Sequence, residues 1–154
     1  MFFFRAWLPV ISPSEVDTTE TPSPPRTRGI SVAPTYRRKP GVLFPLESWT
    51  HSRLWYQYLP GHKQPSDTRL VAPAKVDVSG YESVEVEVPS HDGVKVPLSI
   101  VYRKGLKRDG THPLLLDGYG AYGITYDPAF SAMRLAWLER GGVFAAAHVR
   151  GGGE

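Results

Sequence analysis

Cysteine is absent from this chain of 154 residues, which excludes a disulfide framework, a thiolate metal site and a thiol nucleophile. The sequence also lacks an apolar run of about 18 residues, the length that would span a bilayer, so we predict no membrane partner. Its five histidines are dispersed and have no metal-ligand spacing such as HExxH. We therefore predict no metal ion.

The net charge of the chain is small, +3. Residues 1–79 hold ten Lys/Arg and six Asp/Glu, and the remainder holds eight and nine, so the excess belongs to the first half. The basic residues lie among prolines, which is typical of a solvated tail. The aromatic residues that follow favour a sheet core over base stacking, so we predict no nucleic-acid partner. They are Trp49, Trp55, Tyr56 and Tyr58.

Proline and glycine divide the chain differently. Eleven of the 15 prolines fall at or before Pro73, and 12 of the 15 glycines lie at or after Gly80. Residues 1–46 are rich in Ser, Thr and Pro without periodicity, which predicts a disordered, unassigned tail. Its apolar start is broken by Arg5 and Pro9 and has no basic region before it, so we predict no signal peptide and expect a cytoplasmic protein.

Two alternating segments predict an antiparallel hairpin. Residues 81–89 and 94–103 each place apolar side chains on one face. Between them, Asp92 and Gly93 are suited to a tight turn, because glycine readily adopts positive φ. An earlier aromatic segment, residues 47–59, predicts one or two short strands and ends at a Pro-Gly turn.

The last third of the chain predicts a strand, a glycine-rich loop, a helix and a second strand. Residues 113–117 form a short run without alternation that contains three consecutive leucines, as in a strand covered on both faces. The loop is 118–123, the helix begins at residues 127–128 and ends at Gly-Gly 141–142, and residues 143–149 form a buried strand. The predicted fold class is α/β, with an antiparallel hairpin leading into the sheet.

The glycine loop admits three interpretations. Its GxGxxG pattern after a strand suggests dinucleotide binding, but the third glycine should then open a helix, and Pro128 places the helix start later. Glu139, the candidate ribose partner, falls within the predicted helix. Alternatively, the loop follows the third strand of the sheet and supplies part of an oxyanion hole. In the third interpretation, the glycines only turn the chain.

Several motifs together resemble the prolyl oligopeptidase family of serine peptidases. The resemblance implies that residues 73–154 start an α/β-hydrolase peptidase domain and that residues 47–72 are a remnant of the last β-propeller blade. Residues 1–46 match nothing in that family. The motifs are VPSHDG (88–93), VPLSIVYRKG (96–105), LDGYGAYG (116–123) and VRGGGE (149–154), with LWYQY (54–58) in the blade segment.

The resemblance implies hydrolysis of short peptides, after proline or, as in the oligopeptidase B branch, after basic residues. By position, Tyr119 is the catalytic residue that donates a hydrogen bond to the oxyanion, and Tyr122 lines the substrate pocket. Asp117 stands where the family usually has an aromatic residue. The family implies no cofactor.

The nucleophile, base and acid of such an enzyme are not recognised here. No GxSxG-like elbow occurs, and Ser131, His91 and His148 do not match the family's catalytic positions. The resemblance places the triad beyond Glu154, so we expect an inactive fragment. The alternative is a non-catalytic interaction module that self-associates through an exposed sheet. Arg150 and Glu154 are expected to form a structural ion pair.

Overall fold

The computed structural model describes residues 33–34 and 41–153, which form two four-stranded sheets and one helix. The first sheet is antiparallel in the order β1-β2-β3-β4. Its central strands pair Phe44 with Tyr56, whose rings stack 6.2 Å apart, a cross-strand contact that stabilises the pair. The strands are β1 (Ala33–Pro34), β2 (Val42–Leu46), β3 (Leu54–Tyr58) and β4 (Ser66–Asp67).

The position of β2 corrects the predicted end of the disordered tail. Residues 42–46 were predicted to belong to a disordered tail, but they pair along their whole length with β3. Val42, Leu43 and Phe44 supply apolar side chains that the proline-rich composition of the wider segment concealed. Within residues 47–59, predicted to hold one or two short strands, the structure has one whole strand, β3. The tail prediction for residues 1–32 and 35–40 lies outside the described residues.

The second sheet begins with the predicted hairpin. Strands β5 (Tyr81–Pro89) and β6 (Lys95–Arg103) pair antiparallel from Tyr81 opposite Arg103 to Pro89 opposite Lys95. Gly93 in the turn has a φ of +79°, the left-handed conformation that glycine adopts without steric cost. The hairpin prediction is therefore confirmed in both its strands and its turn.

A parallel strand pair follows, joined by helix α1 (Ala132–Glu139). The predicted helix start at residues 127–128 is wrong, because Ser131 caps the helix and its Oγ accepts the N–H of Arg134 at 3.3 Å. The predicted end is confirmed, since α1 ends at Glu139 with Arg140 as its C-cap, and Gly141 follows with a φ of +80°. Leu135 and Leu138 are buried, whereas Met133 is 83% exposed.

Strand β7 (Leu114–Gly118) does not have the covered position that its sequence predicts. The sheet order is β5-β6-β8-β7, so β8 (Val143–Ala147) lies in the interior and β7 lies at the edge. The three consecutive leucines of β7 are 47–51% exposed, whereas Phe144, Ala145 and Ala146 of β8 are buried. An apolar run without alternation indicates that both faces of a strand are apolar. It does not show whether other elements of the chain pack on those faces.

The hydrophobic core joins the two sheets through a single turn. Trp49, which lies between β2 and β3, is 2% exposed and packs with Val101, Leu138 and Phe144 of the second sheet and its helix. Nearby, Oε1 of Glu47 accepts the N–H of Phe130 at 3.0 Å. The turn of the first sheet is thus part of the core of the second. Within residues 33–34 and 41–153, α1 is too short to cross a membrane.

Candidate functional site

Three loops meet at one end of the second sheet. Strands β7 and β8 are parallel, so their carboxyl ends lie at the same edge, and Ala147 of β8 lies opposite Leu98 near the start of β6. The β5–β6 turn therefore lies at this edge too. Arg150 Nη1 contacts Asp92 Oδ2 at 2.7 Å and links this turn to the loop after β8. The hydrogen bond from Arg150 is the main reason that the pKa of Asp92 lies below its usual value.

The loops after β7 and β8 pack backbone against backbone. A Cβ on Gly120 would lie under 3.0 Å from the carbonyl of Arg150, and one on Gly151 would lie as close to the carbonyl of Gly120. The N–H of Gly153 donates to the carbonyl of Ile124 at 3.3 Å. The glycines are required here because side chains would separate the two loops. The glycine-rich pattern thus has a structural cause in addition to any function.

The geometry of a dinucleotide site is absent from the described residues. Such a site needs a helix whose N-terminal amides face the loop. Helix α1 begins at Ala132, well after Gly123, and Ile124 to Ser131 intervene without helical structure. Glu139 is the exposed last residue of that helix. The GxGxxG spacing describes the loop only, and it does not indicate that α1 starts nine residues after the last glycine of the motif.

The two predicted site tyrosines lie on the loop after β7. Tyr119 follows the strand directly and is 42% exposed, and its phenol O–H is a hydrogen-bond donor. Tyr122 has a φ of +56° and is 92% exposed. Neither residue lines the cleft of about 220 Å³ on the first sheet, whose walls include Leu46, His51 and Tyr56. The oxyanion and substrate-pocket roles of the two tyrosines stay predictions.

Asp117 and Tyr126 form a contact that no pattern in the sequence predicts. The hydroxyl of Tyr126 donates to Oδ2 of Asp117 at 2.5 Å, and the N–H of Gly118 donates to Oδ1 at 2.8 Å. Burial, followed by the hydrogen bond to Asp117 and its charge, raises the pKa of Tyr126 far above its usual value. The two residues are nine positions apart across an irregular loop, and no periodicity relates them.

The ring of Tyr126 packs against two buried side chains, Trp49 and His148. Its ring stacks on Trp49 at 6.1 Å and meets His148 edge-on at 6.4 Å. The guanidinium of Arg134 lies 4.9 Å from the centre of the Trp49 ring and 4.1 Å from that of Phe144, a cation–π arrangement. Burial lowers the pKa of Arg134 below its usual value, while the charges of Tyr126 and Asp117 oppose this shift.

The residues that were set aside as catalytic candidates have other contacts. Ser131 caps α1. His91 is exposed in the β5–β6 turn. His148 is buried, with its Nε2 2.9 Å from Oγ of Ser99. Arg150 pairs with Asp92, and Glu154, its predicted partner, lies outside the described residues.

The described part of the chain also contains no group of three His, Asp or Glu residues placed to hold a metal ion.

Comparisons with known proteins point to one group of peptidases, although no family model matches the chain. Over 80 residues the chain is 45% identical to a prolyl endopeptidase of Elizabethkingia meningoseptica, a match that covers 52% of this chain and 11% of the relative. The structure of prolyl oligopeptidase B from Galerina marginata, bound to a 25-residue macrocyclization substrate, has a TM-score of 0.72 and 30% identity and covers 82% of this chain and 18% of that one. Oligopeptidase B from Leishmania major has a TM-score of 0.66 and 31% identity and covers 75% and 16%.

The chain thus spans about a tenth of the length of the curated relative that it matches. The similar sequence is a prolyl endopeptidase, and the two similar structures are an oligopeptidase B and a prolyl oligopeptidase B. Over this partial region, the chain is similar in sequence and in fold to prolyl endopeptidases and oligopeptidases.

Proposed function

We propose that this chain supplies the oxyanion side of a serine-type oligopeptidase. In this proposal, the second sheet starts an α/β-hydrolase domain and the first sheet belongs to the last blade of a β-propeller. The observation that carries it is the position of the loop at residues 118–123, which follows the third strand of the sheet and precedes its first helix. In α/β-hydrolases, the corresponding loop contributes an N–H to the oxyanion hole.

The proposed chemistry is stabilisation of negative charge. When a nucleophile attacks a peptide carbonyl, the oxygen becomes an oxyanion, and hydrogen-bond donors directed at it lower the barrier. The phenol O–H of Tyr119, at the end of β7, is the donor that we assign to this role. Tyr122 contacts the substrate residue before the scissile bond. Both tyrosines are exposed on the loop, and a bound peptide would therefore reach them.

The triad of this reaction would come from residues other than those described. In α/β-hydrolases the Ser, Asp and His follow the oxyanion loop in chain order, and no Gly-x-Ser-x-Gly sequence occurs here. Without a nucleophile, an intact oxyanion hole and binding site retain only about 10³–10⁴-fold rate enhancement over water. We therefore expect the chain alone to be inactive as a peptidase.

Cleavage after proline is the favoured specificity. It is supported by the names of two similar proteins, a prolyl endopeptidase at 45% identity and a prolyl oligopeptidase at 30%. Cleavage after basic residues is the alternative, because oligopeptidase B is 31% identical over the compared region.

A chimera tests the oxyanion assignment. Residues 80–153 would replace the matching segment of the Elizabethkingia meningoseptica prolyl endopeptidase, and Tyr119→Phe would be compared with the unmutated chimera on a proline-containing fluorogenic peptide. We expect kcat to fall about 10²–10³-fold, the effect of losing one oxyanion donor, while KM changes little. A Lys-containing peptide measures the alternative specificity.

Two results would contradict this proposal. One is an unchanged kcat for Tyr119→Phe in an active chimera. The other is cleavage by the purified chain alone that Tyr119→Phe abolishes, because the chain would then contain its own nucleophile. Tyr81→Phe on β5 is the matched control, since it also removes the hydroxyl of a partly exposed tyrosine from the transplanted segment but lies outside the loop at residues 118–123.

The exposed β7 favours a second candidate function, a non-catalytic module that pairs with a second copy of itself. Among the described residues β7 pairs only with β8, and its three leucines are about half exposed. An apolar edge strand is a template for edge-to-edge pairing. Size-exclusion chromatography should then give a dimer that Leu115→Lys converts to a monomer, while Val94→Lys, at an exposed valine of the hairpin turn, has no effect. A monomeric wild-type chain would refute this candidate.

A further inference from the structure

The contact between Asp117 and Tyr126 lies at the base of the loop that carries Tyr119. Asp117 is the second-last residue of β7 and pairs in register with Ala146 of the interior strand β8. The next residue, Gly118, pairs with Ala147, after which the chain leaves the sheet. The peptide that joins Asp117 to Gly118 is therefore the last one before Tyr119 that the sheet holds.

Tyr126 provides an anchored hydroxyl next to this peptide. Its ring lies between Trp49 and His148, both of which are 2% exposed. The guanidinium of Arg134 also packs over the Trp49 ring, 4.9 Å from its centre. Contacts with the two buried side chains, Trp49 and His148, restrict the Tyr126 ring, so they position its hydroxyl oxygen relative to the core.

The carboxylate of Asp117 is suited to join the two elements. Its Oδ2 accepts the Tyr126 hydroxyl while its Oδ1 accepts the N–H of Gly118, so one side chain ties the start of the loop to the core. Hydrogen bonds to an ionised acceptor are shorter and stronger than neutral ones. An aromatic residue at position 117 has no pair of acceptor oxygens with which to make this bridge.

We propose that Asp117 and Tyr126 are positioning residues that set the orientation of the Gly118–Tyr119 peptide and hence of the Tyr119 hydroxyl. The inference rests on the proposed oxyanion function of the loop and deepens it. Neither residue needs to touch substrate. The bridge keeps the start of the loop in one conformation, so that Tyr119 does not have to be ordered when the oxyanion forms.

Amide hydrogen exchange of the full chain, followed by NMR, tests the bridge without requiring catalysis. In Tyr126→Phe the ring and its stacking remain but the hydroxyl is lost, and we expect the Gly118 and Tyr119 amides to exchange about tenfold faster or more. Amides of the β5–β6 hairpin should keep their wild-type rates. Tyr58→Phe is the matched control and should leave the loop unchanged.

Asp117 gives a graded series. Asp117→Asn keeps one carbonyl oxygen and replaces the other acceptor with an NH₂ donor, so only one of the two bonds can persist. Asp117→Ala removes both. Loop exchange should therefore increase from wild type to Asn to Ala, and the Gly118 amide proton should shift upfield as its carboxylate acceptor is lost.

The possible outcomes are separable. Unchanged loop exchange in Tyr126→Phe and Asp117→Ala would overturn the bridge, whatever the chimera shows. Faster exchange spread equally over the hairpin and the loop would also overturn it, because the residues would then act on global stability alone. Faster exchange confined to the loop supports the bridge, and an unchanged kcat for Tyr119→Phe in the chimera would still refute the oxyanion function.

Discussion

Replacing Trp49 with Ala tests whether the two sheets share one core. Trp49 is almost fully buried, with its ring 5.7 Å from that of Phe144 and 6.1 Å from that of Tyr126. It reaches them from the turn between β2 and β3, so its side chain joins elements of both sheets. Alanine would leave a cavity in that joint and uncover the guanidinium of Arg134.

The expected loss of stability is large. Truncation of a buried Trp to Ala costs about 3–5 kcal/mol, and the lost cation–π contact of a desolvated Arg adds about 1–2 kcal/mol. Each kcal/mol lowers the Tm by about 2–4 °C in a domain of roughly 150 residues. We therefore expect the Tm to fall by at least about 8 °C. Since whole domains are stable by only about 5–15 kcal/mol, Trp49→Ala is expected to approach unfolding.

Trp49→Phe is the informative companion variant. The indole Nε1 of Trp49 is buried and has no acceptor among the described residues. Phenylalanine removes that N–H while keeping an aromatic ring against Phe144 and Arg134, so part of the lost packing is offset. We expect Trp49→Phe to cost less than half as much as Trp49→Ala.

Thermal unfolding followed by circular dichroism measures these effects. Trp55→Ala is the control, because Trp55 is a half-buried tryptophan of β3, within the first sheet. If Trp49→Ala lowered the Tm no more than Trp55→Ala, the argument for a shared core would be refuted. Hydrogen exchange locates the change, which should reach β8 and α1 in Trp49→Ala only.

Two further predictions concern the loops at the end of the second sheet. Gly120→Ala would place a Cβ under 3.0 Å from the carbonyl of Arg150, so we expect a loss of about 1–3 kcal/mol by urea unfolding, whereas Gly80→Ala, with open space around it, should cost less. The pKa of Asp92 in the folded chain is lowered mainly by its hydrogen bond from Arg150. The stabilisation that Asp92 provides is therefore fully present above its unfolded pKa of about 3.9, and it is lost as the pH falls through the lower folded pKa. Thermal scans should therefore show a difference between wild type and Asp92→Asn at pH 7 that disappears at strongly acidic pH; a difference that grew on acidification would refute the pairing.

Local patterns predicted those elements whose signal lies within a few neighbouring residues. The hairpin followed from period-two alternation on both sides of Asp92-Gly93, and its register agrees with that pattern. The end of α1 followed from Gly141. The start of α1 was misplaced because Pro128 is compatible with a first helical turn but equally with the irregular segment that it occupies.

The candidate site was predicted only in part. The loop after β7 and its tyrosines were recognised from a contiguous motif, and the structure places that motif at the end of a strand. The contacts of Asp117 with Tyr126 and of Tyr126 with Trp49 were missed, because they join residues that are distant in sequence and follow no period.

The sequence by itself determined that the chain has strands, where the tight turns lie, and which family its motifs resemble, because alternation, turn residues and contiguous motifs are local properties. Tertiary structure decided which strand became the interior one. Residues 114–116 and 143–147 are both short apolar runs, yet the first is exposed at the edge and the second is buried between two neighbours. It also decided that Trp49 completes the core of the other sheet. Burial depends on what packs against a segment, and that partner comes from elsewhere in the chain.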